Sequence, residues 1–234
     1  MGWLVGRYKF TAPFSLKSSL ATSSGGRTNL LPTMYSFKMA LINAAFQMGK
    51  DGEKEFEWIK RLDIRFKPPK KAIVQNSFVK ILRESRKEVL KDNPDQWLSP
   101  TVSLREYIIY DGELLVAIKD SLLMDEQVQT LEKLMVHINQ LGKRSSFVQF
   151  ISFTKMNEID RAFTFLLKDE MIQMPSSLTV QYLDDMGEKA IFSSINSFDQ
   201  KRATIGKDRL FVPVGIPYKL KRSSRSYSCY ERID

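Results

Sequence analysis

Two stretches of helical periodicity, set among runs of strand periodicity, limit this chain more than any other feature. In "TMYSFKMALINAAFQMG", Met34, Phe37, Leu41, Ala44 and Met48 share one helical face, with Thr33 placed as N-cap and Gly49 as the closing residue. In "DEQVQTLEKLMVHINQLG", Val128, Leu131, Leu134, Ile138 and Leu141 form a second face, and Gly142 stands where that helix would end. "WLVGRYKFTA" is short, aromatic and β-branched, and reads as an opening strand. The Ser-, Thr- and Gly-rich "PFSLKSSLATSSGGRTNLLP" then reads as a loop. Between the helices lie "EKEFEWIKR", a short helix, and "LDIRFKPP", a strand stopped by Pro68 and Pro69. "LREYIIYDGELLVAIKD" follows, two β-rich runs around Asp111-Gly112, the dipeptide of a type I′ hairpin. "SSFVQFISFT" closes the series as a strand.

The order through residue 153 is therefore strand, helix, strand, two hairpin strands, helix, strand. That is close to the split βαβ arrangement, which predicts an α+β chain with a ferredoxin-like domain over residues 1–155. RNA-recognition modules use the same topology with one sheet face exposed. Residues 70 to 103 are basic, polar and ambiguous between strand and helix. A structureless loop of that length is out of place in a compact domain, so they read as a projecting insertion or a disordered one. Beyond Met156, "NEIDRAFTFLLKDEM" reads as a helix and "SLTVQYL", "KAIFSSI" and "RLFVPVG" as strands. "YKLKRSSRSYSCYERID" is a basic, Ser-rich tail, so residues 156–234 are expected to form a smaller β-rich extension.

Charge and scarce residues narrow the function. Lys plus Arg is 36 against 27 Asp plus Glu, a net charge of +9, which favours a polyanionic partner: nucleic acid first, an acidic membrane surface second. One Cys, Cys229, and one His, His137, cannot make an intrachain disulfide, a structural zinc site or an HExxH site. The chain has no GxSxG elbow, no GxxxxGK[ST] loop and no GxGxxG. These absences limit enzyme chemistry, although Ser-His-Asp catalysis is formally possible, and no metal or cofactor is expected. His137 shares a helical face with Thr130, Lys133 and Gln140, opposite the apolar stripe, and reads as an exposed residue. No apolar run approaches the roughly 20 residues of a membrane span, and "MGWLVGRYKF" has too short an apolar stretch for a signal peptide. A cytoplasmic protein without a membrane partner is expected.

Two basic stretches remain. "RFKPPKKAIVQNSFVKILRESRKEVLK" carries Arg65, Lys67, Lys70, Lys71, Lys80, Arg83, Arg86, Lys87 and Lys91. A solvated charged face accounts for such a run. With Phe78 and other apolar residues beside the cations, so does a projection lying along a phosphate backbone and against bases. "INQLGKRSSFVQF" also has two readings. Lys143 and Arg144 after Gly142 suit the negative end of a helix. Two cations beside the hydroxyls of Ser145 and Ser146 suit phosphate oxygens equally well.

Three segments in this order resemble the Cas-five family, CRISPR-associated subunits of type I Cascade complexes. "LLPTMYSFKMALINAAF" resembles the family's loop and first helix, where a Pro, an aromatic and a Ser introduce small and apolar residues. "SLREYIIYDGELLVAI" resembles its Arg-Glu-aromatic strand, turn and second strand, and "INQLGKRSSFVQF" its helix, Gly-and-basic loop and strand. The likeness covers roughly residues 3 to 155; the C-terminal third matches poorly.

The resemblance implies a ferredoxin-like first domain of the RAMP type, with a thumb near residues 70–103 and a β-rich C-terminal part. It implies a non-catalytic subunit that binds the 5′ handle of the CRISPR RNA and caps the backbone filament. The implied partners are Cas-seven-type backbone subunits, a Cas-eight-type large subunit and, through the ribonucleoprotein complex, target DNA. Carried over by position, Tyr35, Ser36 and Lys38 lie near the handle, and Lys143, Arg144 and Ser145 form the loop around it. Ser146, Lys17 and Arg27 of the Ser-rich loop, Arg105 of the Arg-Glu-aromatic strand, and Lys70, Lys71, Lys80, Arg83 and Arg86 complete the candidate RNA contacts. One branch of the family cuts repeat RNA with a Tyr, a Lys and a His. Here Tyr35 and Lys143 match loosely, but the only His precedes the loop, which speaks against cleavage. The alternatives are a metal-independent endoribonuclease of CRISPR repeats and an RNA-recognition protein unrelated to CRISPR.

Overall fold

The computed structural model describes residues 2–19, 21, 26–121, 123–167 and 178–234. Strand β1 (Trp3–Phe10) leads through the Ser-rich loop to helix α1 (Met34–Gln47). Thr33 caps that helix reciprocally: its Oγ1 accepts from the Ser36 amide at 3.1 Å, and Ser36 Oγ accepts from the Thr33 amide at 3.0 Å. Gly49 closes it with φ +71°, a conformation that L side chains resist. Next come α2 (Gly52–Ile59), capped by Asp51, β2 (Ile64–Lys67), β3 (Lys71–Glu84), the short α3 (Lys87–Asp92) and β4 (Leu98–Asp111). β5 (Leu114–Lys119), α4 (Asp125–His137) and β6 (Val148–Met156) follow.

The first sheet has the order β2-β5-β1-β6, with every neighbour antiparallel. With α1 between β1 and β2, and α4 between β5 and β6, the connectivity is compatible with the expected ferredoxin-like fold. Leu4, Tyr8, Val116 and Ile118 of the sheet share a core with Phe37, Leu41, Leu131 and Leu134 of the two helices. The Tyr8 hydroxyl, buried there, donates to the Met135 carbonyl at 2.8 Å, so its polar end is satisfied inside.

The chain then forms β7 (Phe165–Leu166), β8 (Thr179–Met186), the one-turn helix α5 (Phe192–Ile195), β9 (Arg209–Ile216), β10 (Tyr218–Ser223) and β11 (Tyr227–Arg232). A second sheet has the order β10-β11-β3-β4 and a third the order β7-β9-β8. The main core runs through all of them: Leu183, Met186, Val212 and Tyr218 belong to the same cluster as Phe37 and Ile108. No helix among the described residues is long and apolar enough to cross a membrane.

Several local expectations are corrected. Asp111-Gly112 does form a turn, with Gly112 at φ +106°, but β4 and β5 pair in different sheets, so this turn carries the chain between sheets. β5 already has β1 on one edge and β2 on the other, which leaves β4 no edge to join. The true hairpin is β3 with β4, paired from Lys71↔Asp111 to Glu84↔Leu98. Residues 71–76 of the expected insertion therefore belong to the second sheet, where Ala72 and Val74 are buried. The basic "tail" is also a sheet element, because β11 pairs with β3 from Tyr227↔Gln75 to Glu231↔Lys71. "KAIFSSI" ends in α5, not in a strand.

Residues 157–167 form turns and β7 instead of a helix; the remainder of that expected helix, from residue 168, lies outside the described residues. Its Phe163 is tied down against Val5 and Ala117 on the face of the first sheet away from the main core. Helix α4 stops at His137, before Gly142, because the next residues join β6: the Val148 amide donates to the Asn139 carbonyl at 2.9 Å, and Gln140 bridges Phe147.

Candidate nucleic-acid interface

The loop between α4 and β6 is pinned at both ends. Gly142 has φ +85°, and a Cβ there would lie 2.9 Å from the Phe14 ring and 3.1 Å from the Ser15 carbonyl oxygen. Conformation and close approach both demand glycine. The Lys143 amide donates to the Ser15 carbonyl at 3.0 Å, and the Ser146 amide to the Lys143 carbonyl at 2.8 Å. Ser146 Oγ accepts from the Ser15 amide at 3.0 Å and donates to the Pro13 carbonyl at 3.4 Å. The tight loop therefore turns Lys143, Arg144 and Ser145 out to solvent. Ser146 is fully buried and serves the loop's shape, which corrects its assignment as an RNA contact.

The strand segment that pins the loop is itself attached to β4. Phe14 bridges Ile108, and Ser15 Oγ donates to the Glu106 carbonyl at 2.9 Å. As a result the Lys143 ammonium lies over the Tyr107 ring, 6.0 Å from its centroid. Tyr107 escaped the sequence reading, although strand alternation along "REYII" already puts Arg105, Tyr107 and Ile109 on one face.

The predicted cations divide between two faces of the β3–β4 hairpin. Gln75 pairs with Tyr107, so Lys71 and Arg83 share the tyrosine's face, whereas Lys80 lies on the other with Phe78 and Leu82. Lys70, Lys71, Lys80, Arg83 and Arg86 are all exposed. Phe78 is 79% exposed and Val102, opposite Lys80, is 66% exposed, so the outer half of that second face lacks an apolar cover among the described residues. Arg105 is half-buried against Gly26, and its Nε has no hydrogen-bond partner among the described residues. Lys17 is exposed beside its bridge to Thr28. Arg27 is exposed as well, and its charge acts on Tyr230, a phenol that burial pushes up and Arg27 partly draws back.

Lys38 is a correction. It is 1% exposed, and its ammonium donates to the Lys60 carbonyl at 3.0 Å and to Asp185 Oδ1 at 2.6 Å. It ties α1 to the end of α2 and to β8, and has no face left for a phosphate. Ser36 is likewise engaged: beyond accepting from the Thr33 amide, its hydroxyl donates to the Thr33 carbonyl at 2.9 Å.

Behind the loop lies a cleft of about 290 Å³, lined among others by Tyr35, Ser36, His137, Gly142, Asp184 and Arg209. The Arg209 guanidinium lies 4.8 Å from the Tyr35 ring centroid, and its Nε donates to Asp184 Oδ2 at 2.6 Å. Nothing in the sequence singled out Arg209, which arrives from a strand far along the chain. Burial raises the Tyr35 phenol above its usual range, with Arg209 drawing it back, so at neutral pH Tyr35 is a hydrogen-bond donor and not a phenolate. His137 is exposed, with Nδ1 2.9 Å from the Lys133 carbonyl, at the helix end. The structure thus brings Tyr35 and His137 to one cleft, while Lys143 lies over Tyr107 instead of lining it. Among the described residues no cluster of His, Cys, Asp and Glu has the makings of a metal site.

No family model matches the chain. No curated protein matches it either. Among solved structures, a CRISPR protein from Archaeoglobus fulgidus is similar at 14% identity and a TM-score of 0.48, over 100% of this chain and 93% of that one. A chain of a CRISPR RNA-guided surveillance complex is similar at 14% identity and a TM-score of 0.44, over 92% of this chain and 91% of that one. A chain of the type III-B Cmr-β complex bound to cognate target RNA is similar at 14% identity and a TM-score of 0.42, over 67% and 61%. At these values the likeness assigns no role, and the functional reading rests on the residues themselves.

Proposed function

We propose that this chain is a non-catalytic, guide-RNA-binding subunit of a type I CRISPR Cascade complex. One observation carries the reading: the loop that matches the family's Gly-and-basic motif is pinned so that Lys143, Arg144 and Ser145 project beside the exposed face of a basic β-hairpin. Phosphate contacts from such a loop position an RNA without reading its sequence. In this reading the outer β3–β4 hairpin is the thumb. Its cations lie along the guide, and Phe78, Leu82 and Val102 rest on a nucleotide or on a neighbouring backbone subunit. The loop holds the 5′ handle, and the large subunit and target DNA are reached through the assembled complex.

The test is binding of the purified chain to repeat-derived handle RNA, against the same RNA scrambled, followed by co-purification of partners from cells expressing the neighbouring genes. Defined retention of handle RNA without cleavage is expected. Equal binding of handle and scrambled RNA, with no co-purifying subunit, would leave a CRISPR-unrelated RNA-recognition protein. A second reading draws on Tyr35 and His137 sharing one cleft: an endoribonuclease, which would instead yield defined fragments of repeat RNA without added metal.

A further inference from the structure

We propose that Tyr107 and Tyr227, with Gln75 between them, form a stacking platform for unpaired bases of RNA, so that the C-terminal strand takes part in binding. The inference deepens the RNA-binding reading and rests on it. In the second sheet Gln75 pairs with Tyr107 on one side and with Tyr227 on the other, so all three side chains share one face. Neighbouring strands lie about 4.8 Å apart, which sets the two tyrosines roughly 10 Å apart across the glutamine. The adjoining row on this face is Cys229, Ile73 and Ile109, with Arg222 opposite Cys229 at the outer edge.

This face is open. Ile73 is 42%, Ile109 49% and Tyr227 38% exposed, values unlike those of a sheet packed on its own core. Its chemistry selects the occupant. Cations border the aromatics here, the pairing of stacking rings with positive charge that a single strand of nucleic acid meets with its bases and phosphates. Lys143 lies over the Tyr107 ring, Arg105 flanks the row through Ser77, and Arg222 lies beyond Cys229. The acids gather at the opposite end, where Lys71 lies between Glu231 and Asp111 and Glu231 pairs with Lys221 at 2.9 Å. Positive charge therefore surrounds the tyrosine row and fades beyond it, which suits a single strand whose bases lie on the rings and whose phosphates meet the border. Stacking is tolerant of base identity because every base has a π-face. Gln75 adds an amide with both donors and an acceptor for a base edge.

The test uses the full chain and a poly(U) oligonucleotide, with a duplex RNA of equal length as control. Tyr107→Leu and Tyr227→Leu should each weaken single-strand binding about 5- to 150-fold, the loss expected for one stacked base. Tyr107→Phe and Tyr227→Phe should bind within about twofold of the parent, because the ring and not the hydroxyl does the stacking. The salt slope should stay unchanged in all four, since no charge is altered. Intact thermal melts exclude misfolding as the cause. If both Leu variants bind like the parent while a Lys143→Ala, Arg144→Ala variant does not, the platform is wrong and the RNA-binding reading stands. If none of these variants loses binding, both fall. Equal binding of duplex and single strand, or Leu variants that lose only co-purifying subunits, would assign the face to another occupant and overturn the proposal.

Discussion

Ser146 Oγ accepts a hydrogen bond from the buried Ser15 amide at 3.0 Å, across 131 residues of sequence. That bond and the Lys143 amide on the Ser15 carbonyl fix the basic loop against the strand that leads to β4. Replacing Ser146 with Ala leaves the Ser15 amide buried and unpaired, which should cost about 1–3 kcal/mol in a chemical melt. RNA binding should weaken as well, because the loop loses its register. A Ser146→Ala protein as stable as the parent would mean that the other bonds hold the loop without it.

If Lys143 and Arg144 meet phosphates, changing both to Ala should make the salt dependence of RNA binding shallower. Two contacts with a single strand correspond to a log–log slope change of about 1.4, from about 0.7 each. An unchanged slope in a folded protein would return these cations to a helix-end role.

The parts of the fold legible in sequence are those decided locally. Thr33 and Gly49 mark the limits of α1 because capping is a short-range matter, and its stripe of Met34, Phe37, Leu41 and Ala44 is buried as the period requires. Partner choice is not local. Asp111-Gly112 has the residues of a hairpin turn, yet β5 already pairs on both edges and β4 turns to β3 instead. Strand β11 reads as a tail because its alternation is polar, and its partner lies about 150 residues earlier in the chain. Lys38 sits beside Tyr35 and Ser36 in a matching motif, but only the fold reveals Asp185 beneath it. The basic loop was legible as a surface, whereas the Tyr107 ring below Lys143 required the attachment of Phe14 and Ser15 to β4.

Lys38→Met should destabilise the protein by about 2 kcal/mol at neutral pH, less than removal of one partner of a fully buried pair, because the Asp185 carboxylate left behind is partly exposed. Burial pushes the Asp185 carboxyl above 3.8, with Lys38 drawing it back. A folded-state pKa raised above the unfolded value favours the fold below the unfolded pKa, and that advantage is lost as pH rises through the folded pKa. Without Lys38 the upward shift grows, so the penalty should shrink as pH falls into the carboxylate range, where Asp185 takes up a proton and needs no cation. Urea melts of both proteins across that range measure it. A penalty independent of pH would mean that Lys38 stabilises by packing alone.

His137→Ala removes the contact between Nδ1 and the Lys133 carbonyl at an exposed helix end. It should cost no more than about 0.5 kcal/mol, as surface changes usually do, and leave guide binding intact. The parent chain should leave repeat RNA uncut. If the parent cleaves repeat RNA and His137→Ala does not, the cleft with Tyr35 is catalytic and the nuclease reading replaces the binding one.

The β3–β4 hairpin can be shortened only beyond the point where it leaves the sheet. Up to Asn76, whose amide donates to the Ser226 carbonyl at 2.9 Å, β3 runs between β11 and β4 and buries Ala72 and Val74. Removing residues 72–98 would delete the middle of a sheet and should unfold the protein. Phe78 and Leu104 lie directly opposite each other farther out, so an Asn-Gly turn can replace residues 79–103 with the register of the remaining strands kept. The shortened protein should melt close to the parent, because the segment removed is largely exposed and its neighbours in the sheet remain. In the intact chain, trypsin should cut first at Lys80, Arg83, Arg86, Lys87 or Lys91, which are all exposed, and bound guide and partners should slow that cleavage. Assembly on the guide should fail in the shortened protein while handle binding at Lys143 and Arg144 persists. Normal assembly without residues 79–103 would show that the outer hairpin is not the thumb, and that Leu82 and Val102 rest on neither a nucleotide nor a neighbouring subunit.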